Sequence, residues 1–355
     1  MVRGGVGGNR TRAGAFPSAG RWWTGGTISR DGRTMAEFGF HASHEQFPPS
    51  HLLACVRMAE QAGFQAAMCS DHFHPWSERQ GQSGFAWSWL GAALQATSLP
   101  CGVVCAPGQR YHPAVVAQAA ATLAEMFPGR FWLAVGSGEA LNERVTGEPW
   151  PPKPERDARL RECVDVIRAL FAGETVTHRG RVRVERAKLY SRPETPPPII
   201  GAAVSEATAA WMGGWADGLI TISHEHGQLA RTVEAFHRGG GEGKPLHLQV
   251  GMSFARTEEE ALKGAHDQWR TNILRPSLAW NLETPEQFDA VAEFIRPEDV
   301  RAKLRVSADP ERHVAWLRRD VELGFTGIYL HNVGGNLPYF IETFGERVLP
   351  AVTGS

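Results

Sequence analysis

The run Ser70-Asp71-His72-Phe73-His74-Pro75-Trp76 places a carboxylate, two imidazoles and an indole within one short segment. An imidazole that gives one ring N–H to a carboxylate has its tautomer fixed, and its other nitrogen becomes a better base. On spacing, Asp71 and His72 therefore form an acid/base unit, and Trp76 can wall a planar ligand. The same residues also suit a loop-capping histidine and a packed core indole, and spacing alone leaves both readings open. A second run, Gly136-Ser137-Gly138-Glu139-Ala140-Leu141-Asn142-Glu143, has small residues that let a ligand approach the backbone, with Glu139 and Asn142 about one helical turn apart. Leu141 stands where a G-x-G-x-x-G fingerprint needs glycine, which disfavours a dinucleotide fold. His72, His74, His224, His226 and His331 are the raw material of a hydrolase zinc site. No carboxylate or lysine completes a bridged centre, so no metal is expected.

Such groups need a scaffold that brings distant segments to one place. From Met35 onward, short β-forming apolar runs alternate with longer amphipathic ones, the pattern of βα units feeding a parallel sheet. Eight strands are predicted: Glu37–His41, Ala66–Ser70, Gly102–Ala106, Phe131–Val135, Ile199–Ala202, Leu219–Ile222, Leu246–Ser253 and Gly327–His331. The helix carrying Leu52, Val56 and Ala59 ends at Gly63, placed as a C-terminal cap. Eight units in this length fit a (β/α)8 TIM barrel with insertions, in which working groups gather where strands end. A hairpin over Thr175–Tyr190 and a long insertion over Thr271–Pro297 stand outside the alternation. We expect one barrel domain over residues 35–355, with residues 1–34 a disordered extension holding six Arg and nine Gly against a single acid, Asp31.

The 355 residues carry 37 Lys and Arg against 38 Asp and Glu, so the basic excess that drives nucleic-acid binding is missing. No apolar stretch is long enough for a membrane span. Five scattered cysteines without a C-x-x-C pair point to small buried hydrophobes in a reducing, cytoplasmic compartment.

With these motifs in order, the sequence resembles the luciferase-like monooxygenase superfamily of flavin and deazaflavin enzymes, and within it the glucose-6-phosphate dehydrogenases that use coenzyme F420. The likeness rests on Ala42-Ser43-His44-Glu45-Gln46-Phe47, the 70–76 run, Arg110-Tyr111-His112-Pro113-Ala114-Val115-Val116-Ala117-Gln118, and the 136–143 run. It implies F420 as cofactor, with FMN the alternative, and hydride transfer between an alcohol or carbonyl substrate and the ring. His72 matches the base, Glu139 the ring-protonating acid, Trp76 a residue beside the reacting centre and Glu45 a substrate-side carboxylate. Asp71, Ser137, Gly138 and Asn142 match cofactor contacts, and Val103-Val104 falls where the family has a non-proline cis peptide. The family's paired-glycine phosphate segment reads Ala202-Ala203 here, followed by Ser205. The other readings are an FMN-dependent monooxygenase, a non-catalytic flavin-binding protein and a metal hydrolase.

The resemblance also implies a homodimer and a small-molecule substrate. Where the family binds a sugar phosphate with three cations, this chain has Glu225 or His224, then Ala279, then Lys303. We therefore expect an uncharged or weakly charged alcohol or related carbonyl compound in a pocket lined by Trp76, Trp87 and Trp280, with Ser223 and Lys303 nearby. Arg270 and Arg275 are the candidates to replace a missing cation.

Overall fold

The computed structural model describes residues 27–28 and 34–354. The expected disordered extension therefore lies almost wholly outside the described residues. Within them, Thr27–Ile28 pairs antiparallel with Thr34–Met35.

The eight barrel strands are β1 (Glu37–Ala42), β2 (Ala66–Ser70), β3 (Cys101–Cys105), β4 (Phe131–Val135), β5 (Ile199–Ala202), β6 (Gly218–Ile222), β7 (Leu246–Ser253) and β8 (Gly327–Asn332). Each pairs in parallel with its sequence neighbour, β8 pairs back onto β1, and the ring closes. Such strands are covered on both faces and read as apolar runs, as Phe131–Val135 does with every residue buried. Between the strands run helices such as α1 (Pro49–Gln61), which buries Leu52, Cys55, Val56 and Ala59 at helical spacing. Gly63 follows it at φ +93°, the left-handed conformation that its place after the helix requires.

Inside the barrel the packing alternates bulk with absence. Trp132 and Tyr329 fill the interior beside Ala66, Met68, Ala134, Ile200 and Ile220, and Trp132 stacks flat on His247 at 5.2 Å. A Cβ on Gly102 would sit 1.9 Å from the Trp132 ring, and one on Gly39 would sit 2.5 Å from Tyr329. These two glycines are therefore the space the rings occupy. Gly102→Ala should lower stability by about 3 kcal/mol, the upper range for overpacking a closed core; an unchanged denaturation midpoint would show that the ring moves freely.

The insertions match their expected places. Val176–Arg179 and Arg183–Ala187 form an antiparallel hairpin, and residues 270–301 fold as short turns of helix that lie over the barrel rim.

Candidate active site

The C-terminal ends of the strands enclose a cavity of about 350 Å³. Met68, Val104, Ala202 and Ile220 give it apolar walls; Trp76 and Trp280 reach it from segments over the rim, and Trp269 from the end of the helix Glu258–Trp269. His72, Glu45, Glu139, Asp71, Ser137, Gly138, Asn142 and Ala203 all line it. The strand-end reasoning thus brings together residues from six segments of the chain.

His72 does not pair with its neighbour Asp71. Its Nδ1 lies 2.7 Å from Glu45 Oε1, and Glu45 is itself held by the Ser43 hydroxyl, which donates to Oε2 at 2.7 Å. Burial works against the imidazolium, yet the Glu45 carboxylate outweighs it and holds the His72 pKa above its ordinary value. Burial likewise works against the Glu45 anion, but His72 and the Ser70 and Ser43 hydroxyls hold it well below the usual carboxylate range. Asp71 is engaged elsewhere: Tyr111 donates to its Oδ1 at 2.9 Å, and Arg110 Nη1 stands 3.5 Å away. Burial raises the Asp71 pKa despite that guanidinium. The physical reason for the exchange is the loop: Phe73 N and His74 N both donate to Asn142 Oδ1, at 2.8 and 3.1 Å, which turns the segment so that successive side chains diverge.

Glu139 has the opposite environment. Its Oε2 is buried without a partner. Burial is the main cause, with the nearby Glu143 carboxylate adding to it, and the pKa is pushed up to about 7. One carboxylate beside a histidine is thus kept ionised while another in the same cavity is kept protonated near neutrality, which is how a site separates a base assembly from an acid.

Several expected site residues lie elsewhere. Val103 faces outward into the core between sheet and helices, because β3 alternates and only Val104 can face the cavity; the peptide between them is trans. Ser205 caps the helix Glu206–Gly213 by accepting from Thr208 N. Ser223 Oγ accepts from Gly251 N, bridging β6 and β7 instead of lining the cavity. Lys303 is exposed and off the cavity wall, although it lies close enough to His224 to help lower that pKa, after burial. Trp87 is buried against Phe131 and hydrogen-bonds to Asp71, behind the wall. Of the histidines considered for a metal, His74 contacts Leu141 O at 2.9 Å and His72 is taken by Glu45; among the described residues no three ligating side chains gather.

Sequence reasoning did not single out Arg110, Tyr111 or Glu143 as a supporting network, nor His41 at all; His331 was considered as a strand-end histidine and a candidate metal ligand, but not as the neighbour of His41. For His41 a signal existed: the alternation Glu37, Gly39, His41 against Phe38, Phe40, Ala42 puts it on the inner face of β1.

A closed parallel barrel with an apolar-walled cavity at its C-terminal rim, a carboxylate-backed histidine and an acid near neutrality defines the class. The chain belongs to the family described as luciferase-like monooxygenase, whose model matches residues 31–327. It is 36% identical over 327 residues to an F420-dependent glucose-6-phosphate dehydrogenase of Beutenbergia cavernae, covering 89% of this chain and 97% of that one. It is 37% identical over 325 residues to the enzyme of the same name from Nakamurella multipartita, covering 88% and 95%. Among solved structures, an F420-dependent secondary alcohol dehydrogenase in complex with an F420-acetone adduct superposes with a TM-score of 0.84 at 31% identity, covering 90% of this chain and 99% of that one.

Proposed function

We propose that the protein is an F420-dependent oxidoreductase of the luciferase-like class that interconverts an uncharged alcohol and its carbonyl partner, with His72 as base and Glu139 as acid. The observation that carries this reading is the pairing of opposite proton affinities across one cavity: a Glu45-backed imidazole and an unpartnered carboxyl with a pKa of about 7. The cavity suits the cofactor. Val104, Ala202 and Ile220 offer flat apolar walls, Thr221 Oγ1 and Glu139 Oε2 are buried polar atoms that lack protein partners, and Ala203, Val204 and Thr208 bring the start of a helix to the wall, where an anionic tail is favoured.

When bound, the deazaflavin supplies the acceptor for a hydride leaving the carbinol carbon. His72, with Nδ1 held by Glu45, uses Nε2 to take the hydroxyl proton. Glu139, protonated near neutral pH and with Oε2 free of any protein partner, would be the group that holds and gives up a proton on the cofactor side of the site. Trp76, whose ring meets His72 edge-on at 5.2 Å and Phe288 at 5.2 Å, closes the site against water. For the return reaction the two groups exchange roles.

Titration of the purified protein with F420 and with FMN tests the cofactor. Stoichiometric F420 binding and its reduction by an alcohol are expected; FMN binding with oxygen consumption would favour a monooxygenase, and binding without turnover a carrier. The pH profile tests the acid. Alcohol oxidation needs neutral His72, which grows as pH rises past a pKa above 6.5, and protonated Glu139, which is lost as pH rises through about 7. A bell-shaped kcat/KM is expected, the limbs being apparent values of the coupled pair. Glu139→Gln should lower turnover about 10²-fold and remove the falling limb; a retained limb would assign it to another group.

The protein is further read as a cytoplasmic homodimer whose single barrel domain spans residues 35–355. The family likeness supports the dimer, and five free, buried cysteines suit a reducing compartment. Among the described residues no helix is long and apolar enough to cross a membrane. Light scattering should give twice the 38.9 kDa of one chain; a single-chain mass at working concentrations would refute the dimer.

A further inference from the structure

Two histidines on the cavity wall have no part in the proton transfers above. His41 of β1 and His331 of β8 stack with ring centroids 4.3 Å apart and planes 27° apart, and Trp269 meets His331 edge-on at 4.8 Å. Both are almost fully buried, and both line the cavity that holds His72.

Gln46 sets the chemistry of the pair. Its Nε2 donates to Val333 O at 2.9 Å and to Gln268 Oε1 at 3.2 Å, which fixes the amide orientation. Its Oε1 is therefore the acceptor that faces His331 Nε2 at 2.8 Å. His331 carries its proton on Nε2 and presents a bare lone pair at Nδ1. That Nδ1 has no protein partner, and neither ring nitrogen of His41 has one. Burial keeps both rings uncharged at neutral pH: His331 is pushed down to about 4, and His41, with its neighbour adding to burial, lies well below the ordinary histidine value.

The two rings thus hold, without protein partners, an acceptor on His331 and one donor and one acceptor on His41. A hydroxyl pairs two of these three nitrogens at once, giving its proton to His331 Nδ1 while accepting from the His41 N–H. A carboxylate or phosphate has no proton for Nδ1 and meets the Glu45 anion nearby. An ammonium has no lone pair for the His41 N–H. Buried polar atoms without partners are costly, so a group that supplies them is strongly selected over one that does not.

We propose that His41 and His331 form a hydroxyl-reading subsite, and that the substrate is a neutral alcohol with a second hydroxyl that docks there while the reacting hydroxyl meets His72. This rests on the alcohol-oxidising reading above and names its substrate class.

The test uses the F420-loaded enzyme with 2-butanol against 2,3-butanediol, 2,4-pentanediol and 2,5-hexanediol, which vary the spacing between hydroxyls. At least one diol should exceed 2-butanol by about tenfold or more in kcat/KM, the scale of one buried pairing. His41→Phe keeps a ring for the stack but removes both nitrogens, and it should bring that diol-to-alcohol ratio close to one. His41→Asn, which restores a donor and an acceptor, should recover part of it. Should all diols match 2-butanol in the wild type, or the ratio survive in a cofactor-binding His41→Phe, the subsite is wrong while alcohol oxidation stands. Absence of turnover with every alcohol overturns the parent reading, and the subsite with it.

Discussion

His72→Ala should lower kcat by about 10² to 10⁴, the usual range for a lost general base, while F420 titration changes little. The separation follows from geometry. The imidazole is anchored from behind by Glu45 Oε1 at 2.7 Å, and the apolar walls that suit the cofactor are Val104, Ala202 and Ile220 from other strands. Removing the ring therefore deletes the proton acceptor and leaves those walls standing. Glu45→Gln gives the companion result. Without the anion, burial and the Arg110 guanidinium oppose the imidazolium with only the lesser influence of Glu139 to favour it, so the His72 pKa falls and the rising limb of the pH profile moves to lower pH. An unchanged rate in the His72 variant, measured at saturating substrate with chemistry rate-limiting, would make the histidine structural.

The barrel was legible because its strands are short apolar runs covered on both faces, and such runs need no knowledge of their partners to be seen. Phe131–Val135 and Leu246–Ser253 are the same in sequence and in structure. The site was legible as a set of residues but not as a set of pairs. Asp71 is adjacent to His72 in the chain, and adjacency suggested a couple. The actual partner, Glu45, is 27 positions away and reaches His72 only because β1 and β2 lie side by side in the ring, a register that local spacing does not encode. Val103 and Val104 show the same limit at shorter range. The β-strand period says that one of them faces inward, but which one depends on the neighbours across the sheet. Trp87 was placed as an indole suited to a pocket, Ser223 as a group at a strand end and Lys303 by its match to a phosphate-binding position of the family. Packing assigned them to a core contact, a bridge between strands and the solvent.

Glucose 6-phosphate should be a poor substrate, with kcat/KM about 10² to 10⁴ below that of the best uncharged alcohol. The curated relatives bear the sugar phosphate in their names, so this sets the chain apart from proteins 36–37% identical to it. Of the three positions matched to phosphate-binding cations, the first offers His224, whose pKa is lowered by burial and then by Lys303, leaving it neutral, or the exposed Glu225. The second is Ala279 on the cavity wall. The third, Lys303, is exposed and off the wall. Neither Arg270 nor Arg275 lines the cavity to replace them. The cations that do line it are Lys153, paired with Asp157 at 2.8 Å, and Arg156, which donates to Pro151 O at 2.8 Å and lies close enough to Glu139 to act on its pKa. Losing even two of the three charge-assisted contacts, at about 1.5 to 3 kcal/mol each, amounts to about 3 to 6 kcal/mol and covers the stated range, and the neutral His41–His331 pair adds nothing that a dianion can use. Steady-state assays of glucose 6-phosphate, glucose and the diol series decide it. A strong preference for the phosphorylated sugar would mean that Lys153 and Arg156 leave their present partners to bind it, and Lys153→Ala with Arg156→Ala would then abolish that preference.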